Sequence, residues 1–130
     1  MPATTDEPRV LIADDSAVVR QVLSFTCRQL PQLVWADIDE AKDGAVALEH
    51  VKARKYDLVL ADIRMPHIDG IELVRRVRQE LADATTPIVL ISTLGSDEDI
   101  RRGMAAGATA YVPKPLEPDR IRQVLEKLLA

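Results

Sequence analysis

Short apolar runs alternate with longer stretches of helical periodicity along almost the whole chain. Runs rich in leucine or β-branched residues are typical of strands, and a repeated strand–helix order favours a parallel sheet covered on both faces. The pattern therefore predicts an α/β fold with a doubly wound, five-stranded parallel sheet and five helices. The expected strands are Arg9–Ala13, Val34–Asp39, Leu58–Ala61, Ile88–Ile91 and Ala110–Val112. The expected helices are Ala17–Leu30, Gly44–Arg54, Gly70–Leu81, Asp97–Ala106 and Pro118–Leu129.

Apolar periodicity also predicts which faces of the elements are buried. One face of the first helix is marked by Val18, Val22, Phe25 and Gln29, with Val19, Leu23 and Thr26 beside it. The last helix is amphipathic, and its inward residues are expected to be Ile121, Val124, Leu125, Leu128 and Leu129. The second strand alternates apolar and polar residues, which suits an edge strand with one solvated face.

Length and cysteine usage limit the domain organisation. A chain of 130 residues is long enough for one core, which we expect to span residues 9–130 after a short disordered lead-in over residues 1–8. Cys27 is the only cysteine, so a disulfide framework is excluded, and a core thiol in a reducing, cytoplasmic compartment is favoured. No apolar run approaches the length needed to span a membrane.

Charge and aromatic content argue against several ligand classes. The net charge is -4, and the arginines are spread over several segments, which disfavours direct binding of nucleic acid. One Trp, two Tyr and one Phe leave no stacking surface for single strands or for a large aromatic cofactor.

Polar residues follow four of the predicted strands, at the point where each strand ends. They are Asp14 with Asp15, Asp62, Ser92 and Lys114. Since the carboxyl ends of strands in an open parallel sheet meet at one crevice, we expect these side chains to form a single site. Three carboxylates brought together resist ionising unless a cation lies between them, and an all-oxygen ligand set suits Mg²⁺.

The same site has the groups needed to hold a phosphoryl group. A metal ion, the ammonium of Lys114 and a hydroxyl can together neutralise the charge of a transferring phosphoryl group. Carboxylates do form aspartyl-phosphates, so Asp62 is a candidate acceptor.

These motifs resemble the receiver domain of two-component response regulators. The matching residues are Leu11-Ile12-Ala13-Asp14-Asp15-Ser16, Asp57-Leu58-Val59-Leu60-Ala61-Asp62-Ile63-Arg64-Met65-Pro66, Asp69-Gly70, Ser92-Thr93 and Tyr111-Val112-Pro113-Lys114-Pro115. The resemblance covers about Pro8 to Leu129. It implies the flavodoxin-like strand order 2-1-3-4-5, for which the chemotaxis regulator CheY is an established example.

The resemblance also implies roles for individual residues. Asp62 would accept the phosphoryl group, and Lys114 would contact it. Asp15 would bind Mg²⁺ directly, Asp14 would bind it through water, and the backbone carbonyl of Arg64 would be a further ligand together with Asp62. The peptide bond between Lys114 and the following proline is a candidate for the cis form.

The hydroxyl that contacts the phosphoryl group is either Ser92 or Thr93. The register of the resemblance favours Ser92, and Thr93 would then stand where the family usually has alanine or glycine. A β-branched side chain there would narrow access to Asp62. Tyr111 matches the family's aromatic switch position, which turns inward when the hydroxyl moves toward the phosphoryl group.

As a whole, the resemblance implies a stand-alone switch that catalyses only its own phosphorylation and dephosphorylation. The donor would be a histidine kinase or a histidine phosphotransfer protein, which meets the first helix. The output would be a protein contact through the fourth helix, fifth strand and fifth helix, with chemotaxis or motility as the nearest analogue.

Two alternatives belong to other classes. An aspartate-nucleophile phosphohydrolase would carry an Asp-x-Asp motif after the first strand, whereas this chain has adjacent aspartates there. A receiver-like module that signals without phosphorylation would usually lack an acidic residue or the lysine, and only Thr93 favours it.

Overall fold

The computed structural model describes residues 7–93 and 97–130. Most of the predicted disordered lead-in therefore lies outside the described residues. Five parallel strands form one sheet in the order β2-β1-β3-β4-β5, as predicted. The strands are β1 (Arg9–Ala13), β2 (Asp37–Ala41), β3 (Leu58–Asp62), β4 (Ile88–Thr93) and β5 (Ala110–Lys114). The α-helices are α1 (Ala17–Cys27), α2 (Gly44–Ala53), α3 (Gly70–Arg75), α4 (Asp97–Ala106) and α5 (Pro118–Leu129).

Polar side chains cap the starts of three of these helices. Ser16 accepts a hydrogen bond from the backbone of α1, Asp43 from that of α2 and Asp69 from that of α3. Each cap satisfies an amide that has no partner within the first turn, so these residues set where the helices begin. The end of α3 continues without a break into a π-helical segment, Arg76–Glu80.

Each face of the sheet carries its own apolar core, because successive side chains of a strand point to opposite faces. The core under α2, α3 and α4 includes Leu11, Ala13, Val59, Ala61, Leu73, Val74, Val77 and Leu90. The core under α1 and α5 includes Val10, Ile12, Leu23, Leu58, Leu60, Val89, Ile91, Ile121 and Leu125. Strand β3 is buried along its whole length, as expected of a central strand.

The second strand was predicted too early, at Val34–Asp39. Pro31 opens a short 3-10 helix, Pro31–Leu33, and the backbone amide of Ala36 then donates to the carbonyl of Leu33. This turn leaves Trp35 exposed and delays the strand to Asp37. The predicted edge position of β2 is confirmed.

The first helix ends at Cys27, three residues earlier than predicted. Val18 and Phe25, which mark the more obvious apolar row, are each 68% exposed. The buried residues are instead Leu23, Thr26 and Cys27. Burial raises the pKa of the Cys27 thiol to about 12, which agrees with the predicted core thiol.

The remaining predictions of the fold agree closely. The inward face of α5 is correct, with Ile121 and Leu125 fully buried and the other predicted residues partly buried. The peptide bond between Lys114 and Pro115 is cis. None of the helices in the described residues is long and apolar enough to cross a membrane.

Candidate functional site

Strand register brings Asp14 and Asp62 side by side at the carboxyl edge of the sheet. Ala13 pairs with Ala61, so the next residue of each strand lies at the same level. Asp14 is completely buried, and its backbone amide donates to the carbonyl of Ala41. Three of the predicted residues lie inside strands rather than after them, since β3, β4 and β5 extend to include Asp62, Ser92 and Lys114.

The carboxylate of Asp14 has one satisfied oxygen and one that lacks a hydrogen bond. Its Oδ1 accepts a hydrogen bond of 2.8 Å from the backbone amide of Ser16. Its Oδ2 is buried and accepts no hydrogen bond from the described residues. Burial raises the pKa of Asp14, and the nearby charge of Asp62 adds to the effect. The ammonium of Lys114, 3.4 Å from this oxygen, compensates its charge only in part, and a bound cation would relieve the remaining cost of burial.

Lys114 reaches both buried carboxylates. Its Nζ lies 2.8 Å from Oδ2 of Asp62 and 3.4 Å from Oδ2 of Asp14. Burial alone would lower the pKa of Lys114, but its hydrogen bond to Asp62 and the charges of both carboxylates outweigh burial and raise that pKa. The lysine is therefore held in its charged form beside Asp62.

Asp15 completes a group of three carboxylates with Asp14 and Asp62. One oxygen of each lies within 4.8 Å of the others. Asp15 is exposed, whereas the other two are buried, so the cluster opens to solvent on the side of Asp15. Hard oxygen ligands beside an open, water-accessible position fit Mg²⁺, which keeps several of its waters. The buried Oδ2 of Asp14 supports this fit.

The loop after β3 borders the site through its backbone. The amide of Arg64 donates to Oδ1 of Asp62 at 3.1 Å, which holds the loop against the carboxylate. The guanidinium of Arg64 points elsewhere and forms an ion pair of 2.9 Å with Asp99 of α4. A cleft of about 500 Å³ lies beside the loop and is lined by Asp15, Arg64, Met65, Asp69, Asp99 and Arg102, among others.

The two candidate hydroxyl residues lie at the end of β4. Ile91 pairs with Asp62, so Ser92 is one residue beyond the level of the carboxylate, and it is buried. The backbone of Thr93 pairs with Lys114, but its side chain lies outside the described part of the chain. Tyr111, the predicted switch residue, is 39% exposed.

Arg20 is part of the site, although sequence reasoning missed it. Its Nη1 donates to the backbone carbonyl of Asp14 at 2.7 Å, and its Nε forms an ion pair of 2.7 Å with Glu40. The pair ties the turn between β1 and α1 to strand β2. Sequence spacing had no signal for it, because Arg20 and Glu40 belong to different elements that meet only in the folded chain.

Comparison with known proteins identifies the family. The family model described as the response regulator receiver domain matches residues 10–126. The gliding motility regulatory protein of Myxococcus xanthus is 39% identical over 121 residues, which are 92% of this chain and 15% of that protein. The transcriptional regulatory protein ResD of Bacillus subtilis is 34% identical over 125 residues, which are 96% of this chain and 49% of ResD. The chain belongs to the response regulator receiver family.

A solved structure supports the same conclusion. The chemotaxis response regulator CheY4 of Vibrio cholerae matches with a TM-score of 0.82 and 31% identity, over 94% of this chain and 98% of that one. The predicted family and CheY-like fold are thus confirmed. Members of this family are signalling modules in which Mg²⁺ and phosphorylation are typical. The chain spans about half or less of the length of the two curated relatives.

Proposed function

We propose that this chain is a phosphorylation-dependent switch in which Asp62 accepts a phosphoryl group. The observation that carries the proposal is the position of Lys114, whose Nζ lies 2.8 Å from one oxygen of Asp62 at the edge of an acidic cluster. An ammonium in that position can follow the developing negative charge as the phosphoryl group arrives. The donor is a histidine kinase or a histidine phosphotransfer protein.

The proposed reaction is an in-line transfer. A carboxylate oxygen of Asp62 attacks the phosphorus of a phosphohistidine, the P–N bond breaks, and the histidine nitrogen leaves with the bonding pair and takes up a proton. Asp15, Asp62 and the backbone carbonyl of Arg64 would hold Mg²⁺ directly and Asp14 would hold it through water, and the bound ion would supply positive charge to neutralise phosphoryl oxygens. Ser92 donates a hydrogen bond to the product, with Thr93 as the alternative donor.

The residues of the chain supply positioning in this reaction. The amide of Arg64 holds one oxygen of Asp62. Lys114 holds the other and balances part of the charge of Asp14. The carboxylate is therefore oriented before the donor binds, which lowers the entropic part of the barrier.

We further propose that the phosphorylated state is read by a downstream protein at the face formed by α4, β5 and α5. Tyr111 of β5 is 39% exposed on this face and can change its exposure when Ser92 engages the phosphoryl group. Donor and target would both act in the cytoplasm. The similarity to a gliding motility regulatory protein and to a chemotaxis response regulator favours a motility or chemotaxis pathway.

The test is the intact mass of the protein after incubation with acetyl phosphate and Mg²⁺. A single phosphoryl adduct is expected for the wild-type chain, and none for Asp62→Asn or after chelation of the metal. Asp37→Asn serves as the matched control, because Asp37 is an exposed aspartate on β2. An adduct that persists in Asp62→Asn would overturn the assignment of the acceptor. No adduct in a folded wild-type protein would favour the phosphorylation-independent alternative.

A further inference from the structure

A second cavity lies at the amino ends of the strands, at the opposite edge of the sheet from the carboxylates. It has a volume of about 340 Å³, within the range of small-ligand pockets. The end of α2, the segment leading into β3, the π-helical segment and the loop before β4 line it, and one side is open to solvent. Its apolar walls are formed by Val51, Val59, Val77 and Leu81. The proposed phosphorylation chemistry makes no use of this cavity.

One wall is built from unusual backbone. Val77 lies in the π-helical segment Arg76–Glu80, and π-helical turns are rare and frequent at functional sites. The next turn contains Ala82 with φ of 53°, a left-handed conformation that costs energy for a residue with a Cβ. Both features border the same cavity, because Leu81 and Asp83 on either side of Ala82 line it.

Hydrogen bonds hold this wall in place. Arg78 donates to the backbone carbonyl of Gly107 at 3.0 Å and to that of Asp83 at 3.1 Å. The carboxylate of Asp83 accepts bonds of 3.0 Å from the amides of Thr85 and Thr86. This wall is therefore preformed, so a ligand would not have to order it.

Exposed lysines outnumber carboxylates among the described residues that line the cavity, where Asp83 is the only acidic residue alongside Lys52 and Lys55, although the chain has a net charge of -4. Lys52 and Lys55 are exposed and line the opening. Arg54 is paired with Asp39 at 3.0 Å, and the hydroxyl of Tyr56 donates to the same carboxylate at 2.5 Å. Two exposed lysines and four apolar side chains in one lining complement a ligand with an anionic head and an apolar body.

We propose that this cavity binds a small amphipathic carboxylate with an apolar body about the size of one aromatic ring. The body packs against Val51, Val77 and Leu81, and the carboxylate lies between Lys52 and Lys55. The receiver then has a small-molecule site at the edge of the sheet remote from Asp62. This site is independent of the proposed phosphorylation chemistry.

The first test titrates the full chain with 4-phenylbutanoate and follows backbone amides by NMR. We expect saturable shifts confined to residues 51–56 and 77–86. The uncharged 4-phenylbutan-1-ol is expected to bind about fivefold more weakly, as the loss of an exposed charge interaction implies. Inorganic phosphate, which has no apolar body, is expected to cause no saturable shift there. Absence of saturable shifts with 4-phenylbutanoate, or equal affinity of the alcohol, would overturn the proposal.

Variants separate a specific site from general attraction to a charged surface. The double substitution Lys52→Gln with Lys55→Gln is expected to weaken binding about fivefold or more. Arg120→Gln with Lys127→Gln removes the same charge from the exposed surface of α5 and is expected to leave the affinity unchanged. Val51→Trp, at a partly buried position, fills the cavity and is expected to abolish the shifts, with thermal unfolding as the measure of folding. An equal loss of affinity in the control pair would contradict the assignment.

Discussion

At the scale of single residues, the carboxyl edge of the sheet depends on the balance between one ammonium and two buried carboxylates. Lys114 lies within ion-pair distance of both Asp14 and Asp62. One positive charge cannot compensate two negative ones, and the raised pKa of Asp14 reflects the cost of its burial. The site is therefore arranged to gain a divalent cation.

Gly44 is a position where only glycine fits. A Cβ there would overlap the backbone carbonyl of Ile68, in the loop that follows Asp62. We expect Gly44→Ala to cost about 2 kcal/mol or more, since a backbone group must move to relieve the overlap. Urea unfolding at neutral pH measures this cost.

The matched control is Gly103→Ala. A Cβ at Gly103 would meet the end of the flexible side chain of Leu90. Alanine also has a helix propensity about 1 kcal/mol more favourable than that of glycine, which offsets part of the free-energy cost of the crowding. Equal destabilisation of the two variants would contradict the role assigned to the Ile68 carbonyl.

Asp83 is expected to make stability depend on pH in the acid range. Burial opposes its ionisation, but hydrogen bonds from the hydroxyl and amide of Thr86 and the amide of Thr85 outweigh burial and lower its pKa to about 2. Because the folded pKa lies below the ordinary value of 3.8, the ionised group stabilises the fold above about pH 4. That contribution is lost as the pH falls toward 2.

The variant Asp83→Asn tests this dependence. Weakening these hydrogen bonds is expected to cost about 1 kcal/mol at pH 6. The difference in free energy of unfolding between wild type and variant should shrink as the pH is lowered from 4 to 3. A difference that stays constant over this range would show that ionisation of Asp83 is not its source.

At the scale of elements, α1 shows that apolar periodicity does not by itself identify the buried face. The helix carries two neighbouring apolar rows, and packing against α5 and the sheet buries the row of Leu23 and Cys27. The row of Val18 and Phe25 stays exposed. Either row satisfies the same spacing rule, so only the position of the neighbouring elements decides between them.

We expect substitutions in the two rows to differ in their effect on stability, large in the buried row and small in the exposed row. Leu23 is 1% exposed, so Leu23→Ala should lower the free energy of unfolding by about 2–5 kcal/mol. Phe25→Ser should change the free energy of unfolding by no more than about 0.5 kcal/mol, as is usual for exposed positions. Urea unfolding of the two variants provides the comparison, and a large loss in Phe25→Ser would show that its ring is buried in solution.

At the scale of the whole molecule, Mg²⁺ is expected to couple the carboxyl edge of the sheet to global stability. A ligand that binds only the folded state at ten times its Kd stabilises it by about 1.4 kcal/mol. The wild-type chain should therefore unfold at a higher temperature in Mg²⁺ than in a chelator. Thermal unfolding with and without the metal measures the effect.

Asp14→Asn should separate the stability lost by burying the Asp14 carboxylate from the stability gained by binding Mg²⁺. The variant removes a buried charge whose raised pKa marks an unfavourable environment, so without metal it should be at least as stable as wild type. Adding Mg²⁺ should raise the unfolding temperature of this variant much less than that of the wild-type chain. Asp37→Asn, on the exposed edge of β2, should behave as wild type in both conditions. An unchanged metal effect in Asp14→Asn would contradict its role as a ligand.

The sequence by itself determined the family, the number and order of the elements, and the residues at the carboxyl edge of the sheet. The elements and the edge residues follow from local patterns, which are continuous apolar runs for buried strands and polar residues at the ends of those runs, whereas the family follows from the resemblance of the motifs. The roles of Asp62, Ser92, Thr93 and Tyr111 in phosphorylation stay predictions until the proposed reaction is measured.

Only the tertiary structure decided how these elements meet. The start of β2 depends on the turn that Pro31 makes, the buried row of α1 depends on α5, and the contact of Arg20 with Asp14 depends on strand pairing. The cavity at the amino edge likewise joins segments from α2 to the loop before β4. Each of these features is a contact between residues distant in the chain, whereas sequence patterns report only local preference.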